Sequence, residues 1–278
     1  MALKDLLARK LTKKQLTHVP SSFDIIGSKE KAVAIIEIPD ELKKKRVIIA
    51  KALMEQHKNV TTVLEKISPR SGIFRTYALK IITGEKDTIV VHKESGCRFM
   101  VDPQKVYFSP REVQERLRIV SQVKKCENIM VFFAGIGPFP IVLSKKTTAK
   151  NITGIELNPD ACRYFGKNVL LNKVINVHII HGDVTKKVSA FANKCDRVLM
   201  PLPETAADFL YEALFCLKKN GICNFYCFSS EDEIAEKIGE LERKAESLNS
   251  QIKITGFAKV LPYGPRIWKY RIDFVKVK

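Results

Sequence analysis

Two short stretches of this chain have the residue types and the spacing to hold a nucleoside. An apolar run ends in a glycine turn at Val131-Phe132-Phe133-Ala134-Gly135-Ile136-Gly137. About twenty residues later, a second ends in a carboxylate at Thr153-Gly154-Ile155-Glu156-Leu157-Asn158. Gly135 and Gly137 let backbone approach a ligand, and Glu156 at the tip of the next strand can accept hydrogen bonds from ribose hydroxyls. The competing reading is a plain strand-turn-helix connection with an incidental acid.

The turn also limits which nucleoside fits. It continues Gly137-Pro138-Phe139-Pro140, with no third glycine and with prolines where backbone donors to a pyrophosphate would be wanted. No Lys-Ser/Thr follows, so a phosphate-cradling loop is excluded. A ligand with ribose but no phosphate fits better, and S-adenosylmethionine is the common one.

With 278 residues, one large or two modest domains are expected. No apolar run approaches the ~20 residues that cross a bilayer, and the N-terminus lacks a signal-peptide core. A soluble, cytoplasmic, monomeric protein without membrane association is expected. The seven cysteines are scattered with no C-x-x-C, and several sit in apolar runs such as Ile222-Cys223-Asn224-Phe225-Tyr226-Cys227-Phe228. They read as free, buried, non-catalytic thiols. The five histidines are isolated, so no metal is expected. The formal charge is +18, of which +9 falls in the first 105 residues, making the smaller N-terminal part the more densely positive. That excess favours a polyanion partner, most simply nucleic acid. A lysine-rich, heat-adapted composition is the alternative.

The elements that would position these residues follow from periodicity. Leu3, Leu6, Leu7 and Leu11 suggest one basic amphipathic helix over 1–18. A hairpin (23–27 and 32–38), a helix to about 57 and strands at 60–67, 75–83, 88–93 and 97–102 build a small α+β module over 1–105. Residues 110–125 read as a helix with Val113, Leu117 and Val120 on its apolar face and charge on the other. Over 106–278 βα alternation then gives seven strands, including a helix at 204–219 and a final hairpin at 252–261 and 267–277. The fold class is α/β: a Rossmann-like class I methyltransferase domain preceded by the small α+β domain.

Val106-Tyr107-Phe108-Ser109-Pro110-Arg111, Glu115-Arg116-Leu117-Arg118, the glycine turn, Glu156-Leu157-Asn158-Pro159 and Met200-Pro201-Leu202-Pro203 together carry a family resemblance. From about residue 22 onward the chain resembles the archaeal and eukaryotic tRNA (guanine-37) N1-methyltransferases, relatives of the wybutosine-pathway aminocarboxypropyl transferases. The resemblance implies methyl transfer from S-adenosylmethionine to the purine at position 37 of a tRNA, bound through its anticodon stem-loop. Guanine N1 carries a proton, so the chemistry needs a base and a positive donor at O6. Glu115 matches the family's base and Arg75 its O6 donor. Tyr107 and Phe108 match aromatic positions lining the cofactor and target-base pocket. Gly135, Gly137, Glu156 and Asp183 match cofactor contacts, and Phe133, Leu157, Leu202 and Pro203 complete that set. Arg111, Arg116 and Arg118 are candidate phosphate or base contacts.

Each role has a simpler counterpart. Glu115 and Arg118 stand at i, i+3, where a surface ion pair is the default. Arg75 could clamp a phosphate, and Asp183 could cap a helix. Two departures from the family pattern matter. Where many members read Asn-Leu-Pro this chain has Pro201, which removes a side-chain hydrogen bond and a backbone donor. The resemblance associates proline here with members that methylate carbon 7 of 4-demethylwyosine, so guanine N1, that carbon, or both remain open. Longer members also carry an additional N-terminal domain. Without it, binding is expected to rely on the anticodon stem-loop and to be steeply salt-dependent. An aminocarboxypropyl transferase and a non-catalytic RNA-binding protein are the alternatives to a methyltransferase.

Overall fold

The computed structural model describes residues 2–68, 72, 74 and 76–278, which divide into two compact units, Met1–Pro110 and Arg111–Lys278. The leucine periodicity at the N-terminus makes two short helices, α1 (Leu3–Leu7) and α2 (Lys13–Thr17), instead of one. Thr12 restarts the helix: its hydroxyl accepts from the Gln15 N–H, while the Gln15 side chain accepts from the Thr12 N–H. Strands β1 (Phe23–Gly27), β2 (Ala32–Ile36), β3 (Val60–Lys66) and β4 (Leu79–Gly84) form one sheet in that order. Only β2 and β3 are parallel, and α3 (Arg46–Gln56) crosses over between them. Leu3, Leu7, Ile36, Leu42 and Leu53 pack its core. Strands β5 (Val90–Glu94) and β6 (Cys97–Val101) form a hairpin whose two turn residues, Ser95 and Gly96, both have positive φ, as a right-twisted hairpin requires. Phe108 packs against His92 and Phe99. The first unit therefore runs past residue 105.

The second unit contains α4 (Val113–Gln122), β7 (Asn128–Phe132), α5 (Pro138–Lys146), β8 (Asn151–Glu156), α6 (Pro159–Asn172) and β9 (Val177–His181). Then come α7 (Val184–Lys187), β10 (Cys195–Met200), α8 (Leu210–Cys216), β11 (Leu217–Ser229), α9 (Ile234–Ser247), β12 (Ile252–Gly264) and β13 (Ile267–Lys276). Its sheet runs β12-β13-β11-β10-β7-β8-β9, parallel except for β13, which is antiparallel to both neighbours. The helix expected over 204–219 is shorter, because buried Leu217 pairs with Cys195 and starts β11. The chain builds outward from β7 in both directions, so the order reverses between β7 and β10. In open α/β sheets ligands bind outside the carboxyl ends of the strands at such a switch point.

The face of α4 expected to be apolar is not the buried one. Glu112, Glu115, Arg116 and Ile119 are buried, whereas Val113, Leu117 and Val120 are only partly covered. Charge can turn inward here because each charge meets a partner. Deepest is Arg197 of β10, 0% exposed. Its Nε donates to Glu127 (2.9 Å), its Nη1 to Asn224 Oδ1 (3.0 Å) and its Nη2 to the Gln122 carbonyl (3.0 Å).

Removing one member of such a pair strands the other in low dielectric. Arg197→Met should lower unfolding free energy by about 3–5 kcal/mol in urea titrations. Adding Glu127→Leu should recover part of that loss.

Candidate nucleoside and proton-transfer site

The glycine turn is held by the acid it was expected to work with. Phe133 (φ +54°), Gly135 (φ +57°) and Gly137 (φ +86°) carry the chain from β7 into α5. The Gly135 N–H donates to Glu156 Oε2 (2.7 Å), and the Asn158 N–H donates to Oε1 (2.7 Å). A carboxylate offers about four acceptor directions, so Glu156 staples the β7 turn to the β8 tip and keeps acceptor capacity for a ribose. Burial raises its pKa above the ordinary 4.5, opposed by the N–H donors of Asn158, Gly135 and Leu157. Gly137 is needed for packing as well as for its φ: a Cβ there would stand 2.1 Å from the Phe165 ring of α6. Asn168 Nδ2 fixes the Ile136 carbonyl (3.1 Å). Pro138 and Pro140 open α5 without N–H donors, which suits a ligand lacking a pyrophosphate.

Asp183 follows β9 at the same end of the sheet and uses Oδ1 to cap α7, accepting from the Thr185 N–H (3.0 Å). Leu157 is partly exposed beside Glu156. Across the switch point, β10 ends at Met200, and the Leu202 N–H turns back to the Met200 carbonyl (2.8 Å). Pro201 stands at the corner of that turn, with Leu202 and Pro203 partly exposed after it. Cys162 donates its thiol to the Glu156 carbonyl (3.4 Å). Burial and the Glu156 charge push that thiol up to about 12, so it is no nucleophile. Cys126, expected buried, is exposed.

Glu115 sits in the first turn of α4. Its Oε1 accepts from Tyr226 Oη and from Arg118 Nη2 (2.7 Å), and its Oε2 accepts from Arg118 Nε (2.9 Å). The simpler reading, a surface ion pair, does not hold: the pair is bidentate, with Glu115 buried and Arg118 largely covered. Arg118 also donates to Asp273 (2.8 Å), which accepts from Asn224 Nδ2 (2.7 Å) and pairs with Arg271. Burial opposes the charge of Arg118, but the Glu115 hydrogen bonds and the neighbouring negative charges raise its pKa. The Tyr226 hydroxyl is raised far above 10, first by burial and then by Glu115, so it remains a donor. Three donors leave the carboxylate about one acceptor direction to receive a proton.

Tyr226, Asn224, Asp273 and Arg197 did not stand out in the sequence. The one signal was a lone asparagine inside the apolar run 222–228. Arg118 is committed inward. Arg116 is 2% exposed with its guanidinium over the Phe139 ring (5.9 Å), a placement that favours packing over a phosphate contact. Arg111 is exposed, and Tyr107 and Phe108 belong to the first unit. Arg75 lies outside the described residues. Among the described residues no cluster could hold a metal ion, and no helix is long and apolar enough to cross a membrane.

A raised carboxyl takes up a proton on folding. The contribution of Glu156 to stability is thus fully present below pH 4.5 and lost as pH rises through its folded value. Ribose recognition runs the opposite way, since it needs the ionised acceptor. Adenosine affinity measured by calorimetry should fall on acidification, and the fall should begin above pH 4.5. Glu156→Gln should bind weakly with no such dependence.

Comparison with known proteins bears on these groups. The TRM5/TYW2 methyltransferase domain matches residues 90–254, and the TYW2 N-terminal domain matches residues 3–88. The tRNA (guanine(37)-N(1))-methyltransferase Trm5b of Pyrococcus abyssi is 38% identical over 257 residues, covering 92% of this chain and 75% of that protein. The tRNA (guanine(37)-N(1))/4-demethylwyosine(37)-methyltransferase Taw22 of Nanoarchaeum equitans is 32% identical over 304 residues, covering 91% of this chain and 98% of that protein. The structure of aTrm5 in complex with tRNALeu superimposes with a TM-score of 0.84 at 30% identity, covering 100% of this chain and 78% of that one. By its matching domains and by identity over nine-tenths of its length, the chain belongs to the TRM5/TYW2 methyltransferase family.

Proposed function

We propose that this protein transfers a methyl group from S-adenosylmethionine to the purine at position 37 of tRNA, with guanine N1 as the primary target. The observation that carries the reading is the buried Glu115 carboxylate, fixed on three donors with one acceptor direction left. Two relatives that each match about nine-tenths of the chain act, by their names, on guanine 37 of tRNA.

The residues present suit the cofactor. Glu156 would take the ribose hydroxyls, the Gly135–Gly137 turn the backbone approach, and Asp183, Phe133, Leu157, Leu202 and Pro203 the remainder of the nucleoside surface. When bound, the cofactor supplies an electrophilic methyl group. Glu115 receives the N1 proton, and Arg118 and Tyr226 hold its oxygens so that proton transfer needs little reorganisation. The family resemblance assigns Arg75 to the developing charge at O6, and Tyr107 and Phe108 to the bound cofactor and target base. Arg111 contacts phosphate. Residues 1–105 grip the anticodon stem-loop, and the +18 charge supports a polyanion partner. The protein acts as a monomer in the cytoplasm.

A second target is favoured by Pro201. Lacking a side-chain donor, it leaves the base edge unclamped and accommodates the tricyclic 4-demethylwyosine, the second substrate in the name of Taw22. At carbon 7 the proton leaves the ring carbon as the methyl–carbon bond forms, and Glu115 can accept it.

The test is labelled methyl transfer to two tRNA-Phe substrates, an unmodified transcript and one carrying 4-demethylwyosine at position 37, with products identified by nucleoside mass spectrometry. 1-Methylguanosine from the transcript is expected, and methylation of the tricycle would establish dual specificity. An aminocarboxypropyl product, or silence on both, would overturn the proposal. Glu115→Ala should lower the single-turnover rate about 10²–10⁴-fold without weakening cofactor binding. Tyr226→Phe, which removes one of three donors, should lower it less.

A further inference from the structure

Asn224, Tyr226 and Phe228 alternate onto one face of β11, and that face meets the inner side of α4 residue by residue. Arg118 lies over the Asn224–Asp273 pair, Glu115 over Tyr226, and Glu112 over Lys269 (2.8 Å), which is paired in register with Phe228. Phe228 ends the row at the carboxyl edge of the strand, two residues and about 7 Å beyond the tyrosine that holds the candidate base. It has no charged partner in this row. Its ring stacks on Tyr263 instead, with centroids 3.8 Å apart and planes at 25°.

Tyr263 is 55% exposed. One face of its ring is covered by Phe228. Its backbone is restrained by Pro262 and Pro265 and by the tight turn in which Arg266 takes φ +60°, so little freedom remains to be lost when something binds. Arg266, three residues on in the same turn, is exposed, and Lys259, which pairs with Glu231, sits over the Trp268 ring (4.6 Å). An exposed, pre-positioned aromatic face in a chain of charge +18 suits a nucleobase of a single strand. It suits an apolar protein segment less well.

We propose that the outer face of Tyr263, backed by Phe228, is a stacking platform for the nucleobase adjoining the one that is methylated. The proposal rests on the RNA substrate inferred above. It assigns to the β12–β13 turn the task of holding the neighbouring base aside while the target base enters the site.

The experiment uses an anticodon stem-loop RNA with 2-aminopurine placed, in separate molecules, on either side of residue 37. Binding of the unaltered protein should quench one of the two probes. Tyr263→Ala should abolish that quench and weaken binding about 10- to 100-fold, while Tyr263→Phe should preserve both. Tyr263→Leu keeps apolar packing on Phe228 but offers no ring, and should behave like alanine. Emission of the single tryptophan, Trp268, monitors the fold of each variant. Tight binding with equal quenching in the unaltered protein and the alanine and leucine variants would overturn the platform and leave the methyltransferase reading standing. No binding of either RNA by the unaltered protein would overturn both.

Discussion

Everything at the proposed proton-transfer site depends on burying charge between α4 and the sheet. Glu112, Glu115, Asp273 and Glu127 are met by Lys269, Arg118, Arg271 and Arg197. Taking any one of these ions out of water costs several kcal/mol, so the row is tolerable only while each charge has its partner at hydrogen-bond distance. The same requirement fixes geometry. A carboxylate gripped by Arg118 through both oxygens and by a tyrosine hydroxyl has no rotamer freedom left. A fixed acceptor is what a proton transfer needs. Stability and preorganisation are consequences of one arrangement.

The nucleoside end uses a different device. Glu156 is placed by backbone N–H donors that it itself organises, so the proposed ribose acceptor and the glycine turn form together or not at all. Phe165 pressing on Gly137 and on Gly154 adds a steric lock from α6. The prolines at the start of α5 remove donors that a phosphate would want.

Much of the fold was legible because it follows from local pattern: the βα alternation, the final hairpin and the glycine turn with its acid. The failures have physical causes. The helix expected over 1–18 splits because a capping box at Thr12 and Gln15 competes with continued helix. The helix expected over 204–219 stops at Cys216 because Leu217 is worth more in the sheet than in a helical turn. The inner face of α4 was misjudged because periodicity ranks residues by water affinity, and Glu112, Glu115 and Arg116 violate that ranking when partners lie elsewhere in the chain. Asp273 is the clearest case. It lies 155 residues from Arg118, a distance over which no window of sequence carries information.

The sequence by itself therefore determined the class of fold, and through the family resemblance it pointed to the turn proposed to hold the nucleoside and the acid proposed to move a proton. Each of these rests on residues close together in the chain or on a contiguous motif. Only the tertiary structure decided that this acid is buried, that Arg118 and Tyr226 hold it, and that Arg118 faces inward. It alone placed the Phe228–Tyr263 stack at the end of the same row. Those facts depend on which strands become neighbours when the sheet closes, and strand order is set by packing over the whole unit.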